Sequence, residues 1–456
     1  MPESARQSVL FPDVFSKPVV ATFTSERTST DGGSVLLLPI DREMKLTESL
    51  AAVMDDRRQA GKVEHDLLEL LRQRVFGIVN GYPDGNDAAR LARDPMALLA
   101  CECSPETGTL ALQPTLSRFE NAMRPRTLLA MAEQLARGVL AHQQRQRRQR
   151  PPRLIRIDFD PTCDPTYGQQ EFSTFNGFYG TSCYLPLLVT VSFDQEAEKF
   201  LVAAVLRPGN ADAMDGTLAV LRRLAELVRE YFPQVRLRMR ADSAFCRPLL
   251  LEVLEAAGIE YVFSIASNAV LQRASMKRMK QARRRQRRTK RKATFYGESR
   301  YQAGSWSSQR RLVFKAEVVV HPGREARDND RYVVTNLRRS ARGVFEEYHG
   351  HHDMENRIKE IKCDLRMDRT SCESFAANQL RLLLALASAA LLQAFQQKLP
   401  AGAFRGAQMA TLRERLFKRA VQVKESARRV LLTFSAHYPW QEAWCQIALA
   451  VGAASG

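Results

Sequence analysis

Cysteine is scarce and scattered: Cys101, Cys103, Cys163, Cys183, Cys246, Cys363, Cys372 and Cys445 contain no CxxC pair. Structural zinc sites draw on close ligand pairs, so zinc is not expected, whereas reduced, cytoplasmic thiols are. The amino terminus lacks the basic, apolar and small-residue progression of a signal peptide, and export is not expected. No run is both apolar and long enough to span a bilayer comfortably. The nearest, Leu380 to Phe395, carries Arg381 and reads as a buried helix, so no membrane partner is expected. Acid is the other shortage. Asp and Glu number 50 against 68 Lys and Arg, a formal net charge of +18, which points to a polyanionic partner, most commonly DNA or RNA. The cations cluster: Arg273 to Lys292 holds twelve of them, Arg283, Arg284, Arg285, Arg287 and Arg288 included, and no acid. That run lacks interleaved aromatics, so it reads as a clamp on phosphates rather than a platform for stacking bases.

With 456 residues and 45% apolar content the chain can bury a large core and is expected to divide into two or three domains. Residues 1–150 read as a mainly helical domain. Within it Glu64 to Val79 is amphipathic, GYPDGND is a turn, and Asp87 to Leu99 resumes the helix across Pro95. Ser117 to Glu120 reads as a capping box before a further helix, which Pro125 interrupts. Packing or dimerisation and recognition of a DNA end are both open to this domain. The run QQRQRRQRPPR, Gln143 to Arg153, marks a boundary. Beyond it come strands 154–160, 183–193, 199–206, 235–241 and 259–265, with helices 212–230 and 245–257. Three consecutive strands followed by alternation describe a mixed α/β sheet flanked by helices. The catalytic domain is expected at 151–270 and 340–400, interrupted at 271–339 by a basic, β-rich insertion with a mobile arm, and 401–456 adds C-terminal helices.

Three acids stand in telling places. In Leu154 to Asp160, Ile155, Ile157 and Phe159 alternate with Arg156, Asp158 and Asp160, so the two aspartates share one face of a strand. Asp242 follows the apolar run Val235 to Met239 and precedes a helical stretch, near a strand's carboxyl end, where open α/β sheets place ligands. In YHGHHDMENRIKEIKCD, Tyr348, His351 or His352, Glu355, Lys359 and Lys362 recur at helical steps and line one stripe. Glu355 alone would pass for a surface glutamate paired with Lys359. The element order matches the ribonuclease-H-like fold, whose first acid lies on the first strand and second at the end of the fourth. The step of 113 residues from Asp242 to Glu355 exceeds what a compact domain needs, hence the insertion.

Three blocks carry a resemblance to the DDE insertion-sequence transposases, specifically the insertion-sequence 1380 family. DFDPTCDPTYGQQE is similar to an Asp-x-Asp-x-Thr motif followed by a Tyr/His-Gly-x-Gln step. LRPGN leads on to RADSAF. In YHGHHDMENRIKEIK, Tyr348, Glu355 and Lys362 fall on the spacing Y-x2-R-x3-E-x6-K, with His351 in place of the arginine. VNGYPDGNDAARLARDP and TLSRFEN also resemble family segments.

The resemblance implies a catalytic, metal-binding triad of Asp160, Asp242 and Glu355. Asp160 is preferred to Asp158 because the Pro-Thr after it resembles the family's Asp-x-Thr, and Asp158 then becomes an orienting partner. Tyr348, His351, Lys359 and Lys362 would contact DNA with the arginines of the basic run. Cutting a phosphodiester builds negative charge on the entering and leaving oxygens, which two divalent ions about 4 Å apart can offset. Magnesium takes oxygen ligands and keeps several waters, so three carboxylates suffice, with Mn²⁺ as a substitute. The expected partner is double-stranded DNA, at element ends and target, bound by a homodimer at the bacterial nucleoid. A purely hydrolytic nuclease on the same fold and a non-catalytic DNA-binding relic are the alternatives.

Overall fold

The computed structural model describes residues 9–22, 26–321, 323–351 and 353–454. A mixed sheet of eight strands forms its centre: β1 (Leu154–Pro161), β2 (Leu187–Phe193), β3 (Phe200–Val205), β4 (Arg236–Ala241), β5 (Glu260–Ile265), β6 (Ala293–Tyr301), β7 (Arg310–Val319) and β8 (Arg327–Thr335). Their spatial order is β6-β7-β8-β5-β4-β1-β2-β3. Strands β1, β2 and β3 form an antiparallel meander. Strand β4 lies parallel to β1, and β5 parallel to β4. The expected strands and helices of 154–265 are present, with 183–193 split into a short strand Thr181–Tyr184 and β2 around Pro186.

Eight helices matter to the argument: α1 (Leu67–Val79), α2 (Pro125–Gln146), α3 (Thr217–Tyr231), α4 (Pro248–Ala256), α5 (Ala269–Thr289), α6 (Ala341–His349), α7 (Asp353–Leu365) and α8 (Phe375–Lys398). On β1 the alternation does what it predicts, since Ile155, Ile157 and Phe159 join the core shared with α2, α3 and α4. Helix α8 is apolar nearly all round, as a helix enclosed on every side should be. By length and composition it could cross a membrane, yet it is largely buried within the protein, in the core it shares with α1, α2 and β3.

Several expectations are corrected. Residues 271–339 do not form a separate β-rich unit, because β8 pairs with β5 and extends the central sheet. The basic arm is the ordered helix α5, which buries Leu271, Ser275, Met279 and Ala282 against β6, β7 and β8. Ser117 to Glu120 lies inside a helix, Gln113–Asn121, rather than before one. Glu120 is taken by two cations, at 2.8 Å from each of Arg74 and Arg381. Pro125 opens α2 instead of interrupting it, and Pro95 likewise opens Pro95–Ala100, the first turn being where a missing N–H costs nothing. The 401–456 region contains a hairpin, Val421–Glu425 with Val430–Phe434, that pairs with Thr28–Ser29, so it is not purely helical.

Candidate active site

Neighbouring parallel strands bring the first two acids to one edge. Arg240 of β4 stands opposite Asp158 of β1, so two residues further along each strand Asp160 and Asp242 emerge together at the carboxyl end of the sheet. Asp242 caps the turn that follows β4, accepting from the Ala244 amide at 2.9 Å. Glu355 is exposed on α7.

Burial pushes the Asp160 carboxyl up to about 7. His351 pulls it down, while the charges of Asp242, Glu355 and Asp158 push it further up. Asp242 and Glu355 therefore both lie within electrostatic reach of Asp160. Among the described residues no group of three His, Cys, Asp or Glu side chains is tight enough to hold a metal ion. The donors themselves suit a hard cation: three carboxylates, one held near protonation at neutral pH by its surroundings.

Beneath the trio lies a buried charge network. Asp158 is fully buried and accepts from Arg240 Nε and Nη2 at 2.6 and 2.7 Å and from Lys199 Nζ at 2.7 Å. Burial works to raise its pKa, but Arg240, His351 and Lys199 overcome this and hold the carboxyl well below the usual range. Arg240 also donates to the Glu347 carbonyl at 3.0 Å, and Lys199 to the Gly350 carbonyl at 2.6 Å. Two cations anchored by Asp158 thus cap the carboxyl end of α6, where unpaired carbonyls attract positive charge, and fix the turn from which α7 departs. Glu347 forms the second node. It pairs with Arg156, with Arg238 at 2.5 Å and with Arg339 at 3.1 Å, and although burial works to raise its pKa, Arg156, Arg238 and Arg240 bring it below the ordinary value.

The expected stripe from Tyr348 to Lys362 does not lie on one helix. Tyr348 ends α6, His351 sits in the break, and only Glu355, Lys359 and Lys362 share α7. His352 lies outside the described residues. His351 was expected against DNA, but it is buried, with Nδ1 3.5 Å from Asp158. Tyr348 is half-buried and hydrogen-bonded to Ser264, and burial raises its pKa. Lys362 donates to the Cys163 carbonyl at 2.6 Å, tying α7 to the loop after β1, while Lys359 is exposed. On α5, Arg283 pairs with Asp328 at 2.9 Å and Arg285 lies over the Phe295 ring at 6.0 Å. Arg284, Arg287 and Arg288 are exposed.

Sequence reasoning missed Lys199, Arg240 and Glu347. The alternation had already put Arg156 and Asp158, and Arg238 and Arg240, at positions needing partners, which was the available signal. It also missed Asp164, which accepts from Thr370 Oγ1 at 2.6 Å and is pushed up to about 7 by burial.

The chain belongs to the DDE transposases: the family model for the transposase DDE domain group 1 matches residues 11–453. As a family these enzymes cut DNA and transfer strands, generally with divalent metal ions. Among solved structures, the chain is similar to a piggyBac transposase in a synaptic complex with hairpin DNA. The match has 12% identity and a TM-score of 0.41, and covers 84% of this chain and 80% of that one. The curated proteins give no match.

Proposed function

We propose that this transposase binds the terminal inverted repeats of its element as a homodimer, cuts there, and joins the 3′ ends to target DNA. Asp160, Asp242 and Glu355 are the catalytic carboxylates. The carrying observation is the parallel register of β1 and β4, which brings Asp160 and Asp242 to one edge of the sheet, with Glu355 near enough for its charge to act on Asp160. A site that concentrates negative charge in this way favours a cation.

The three carboxylates would hold Mg²⁺, two ions by the chemistry of the reaction, with Mn²⁺ as a substitute. Such ions offset charge on the entering and leaving oxygens. The protein's own part is placement. Strands β1 and β4 fix Asp160 and Asp242 at one sheet edge. Asp158, through Arg240 and Lys199, sets the turn that starts α7 and hence the position of Glu355. Lys362 holds α7 to the loop after Asp160.

The meander β1 to β3 followed by parallel β4 and β5, with the acids after the first and fourth strands, supports a ribonuclease-H-like core. The DFDPT, RADSAF and YHGHHDMENRIKEIK blocks support membership of the insertion-sequence 1380 family. Action on cytoplasmic, nucleoid DNA follows from the same reading.

The test combines purified protein, Mg²⁺, labelled DNA from the inverted repeats flanking the gene, and a plasmid target. Joined molecules are expected, and Asp160→Asn, Asp242→Asn and Glu355→Gln should each slow cutting by at least ~10³-fold. Cleavage without joining would make the protein a hydrolytic nuclease. Unchanged activity in all three variants would remove the triad.

A further inference from the structure

The two edges of the central sheet differ. At one end β3 is mostly buried, enclosed by α2 and α8. At the other end β6 runs nine residues against β7 alone, and among the described residues no strand pairs with its outer side. An edge of that kind presents a row of backbone donors and acceptors to any strand that meets it, and soluble proteins blunt such edges with proline, a bulge or lysine. Strand β6, ATFYGESRY, has none of these, and its register with β7 is unbroken.

The charges on this edge are opposite in sign and close together. By alternation Ala293 and Phe295 face α5, whereas Tyr296 meets the Phe345 ring of α6 at 5.7 Å, so Glu298 and Arg300 lie side by side on the α6 face. Glu298 accepts from Arg311 Nε at 3.1 Å, and its side chain is still 57% exposed. Arg300 stands directly opposite Arg311 in the ladder, cation against cation, and among the described residues no acid pairs with it. A strand whose exposed charges alternate in this way is complementary to itself. Run antiparallel to a copy with Ser299 facing Ser299, it sets Glu298 opposite Arg300 and Arg300 opposite Glu298, while Gly297 meets Tyr301. The arginine of each copy then gains an acid partner across the pair.

We propose that β6 is the dimerisation edge: two copies of the chain pair through it, antiparallel about Ser299, and their eight-stranded sheets run on as one. The inference rests on the homodimer reading and names the surface that carries it. A second copy fits better than a foreign strand because each exposed charge finds its counterpart in the same sequence reversed, as a twofold interface requires. The twofold axis stands perpendicular to the sheet, so both α5 helices come to lie on one face and their cations form one broad basic surface. Strand β6 lies four strands from β4, about 20 Å at the usual strand spacing, so the pairing leaves each set of carboxylates open.

Charge reversal tests the edge, read by sedimentation of the full chain at up to ~100 µM, alone and with a duplex of the sequence flanking the gene. Wild-type protein should form a dimer. Arg300→Glu puts only acids at the junction and Glu298→Arg only cations, so each variant by itself should dimerise at least about tenfold more weakly. Mixing the two should restore the wild-type affinity as a heterodimer, since every acid then faces an arginine. Glu298→Arg and Arg300→Glu combined in one chain should dimerise unaided. The rescue separates pairing from misfolding, because a misfolded chain gains nothing from the mixture. A wild-type dimer that both reversals leave intact, or a mixture that fails to recover, would overturn β6 as the interface and leave the homodimer reading standing. A wild type that stays monomeric both alone and on DNA would sink the two together.

Discussion

Asp158 and Asp160 lie on the same face of β1, one pleat apart, and the fold treats them in opposite ways. Around Asp158 it places Arg240, Lys199 and His351, so the carboxyl is buried, satisfied and ionised far into acid. Asp160 is half-buried, and burial first, then the charges of Asp242 and Glu355, push its carboxyl up to about 7 against the pull of His351. Residue type cannot account for the difference, because both are aspartates in the same strand. What differs is the balance of neighbouring charge, with Arg240 and Lys199 paired directly to Asp158 and acids outnumbering His351 around Asp160. The first arrangement is what a structural carboxylate needs, and the second is what a ligand needs, since a carboxylate already neutralised by the protein has little left to offer a cation.

Removing each charge in turn breaks the comparison. The largest effect on stability is expected for Asp158→Asn, which leaves Arg240 and Lys199 buried without their counter-ion and should cost about 3–5 kcal/mol in urea unfolding. A loss below ~1 kcal/mol would show that water or another acid replaces it. Asp160→Asn should act in the opposite direction. In the metal-free protein the Asp160 pKa is raised, so between the ordinary carboxylate range and pH 7 the folded chain keeps a proton that the unfolded chain has released. Stability therefore falls as pH rises through that window and levels off above it. Removing the group should stabilise the protein at pH 8 by ~2–4 kcal/mol, with little change at pH 4. Asp164, pushed up to about 7 as well, and the raised Asp41, Asp94 and Glu198 contribute their own shares of the slope, so the pH dependence of the variant should shrink rather than vanish. An unchanged slope would mean that Asp160 titrates normally.

The same contrast explains what could be read in advance. Strand β1 was legible because Ile155, Ile157 and Phe159 alternate with charged residues, and α7 because Glu355, Lys359 and Lys362 keep helical spacing. The break at Gly350 and His351 was not. Helical periodicity runs straight through it, and the helix end is fixed by Arg240 and Lys199, which reach the α6 carbonyls from strands more than a hundred residues earlier. Glu347 looked like any glutamate on a helix until Arg156 and Arg238 closed on it. The Val421–Glu425 strand alternates visibly, yet its partner Thr28–Ser29 lies at the other end of the chain. The pairing of β8 with β5 is likewise invisible to local pattern. Local physics specified the elements, and non-local charge specified how the site is joined.

A second comparison, α5 against the acidic site, is sharpened by salt. On α5 the residues Leu271, Ser275, Met279 and Ala282 face the sheet, and at 100° per residue Arg273, Lys277, Lys280, Arg284, Arg287 and Arg288 fall on the opposite side. That stripe of cations runs along a helix of 21 residues, about 30 Å at 1.5 Å per residue. Each cation that meets a phosphate releases counterions, so the logarithm of affinity should fall with the logarithm of salt by about 0.9 per contact. Replacing Arg284, Arg287 and Arg288 together with Gln should lower that slope by about 2 to 3 and weaken duplex binding alike for any sequence. A triple variant with the full wild-type slope would place the phosphates elsewhere, with the exposed hinge arginines Arg148, Arg150 and Arg153 the next surface to test.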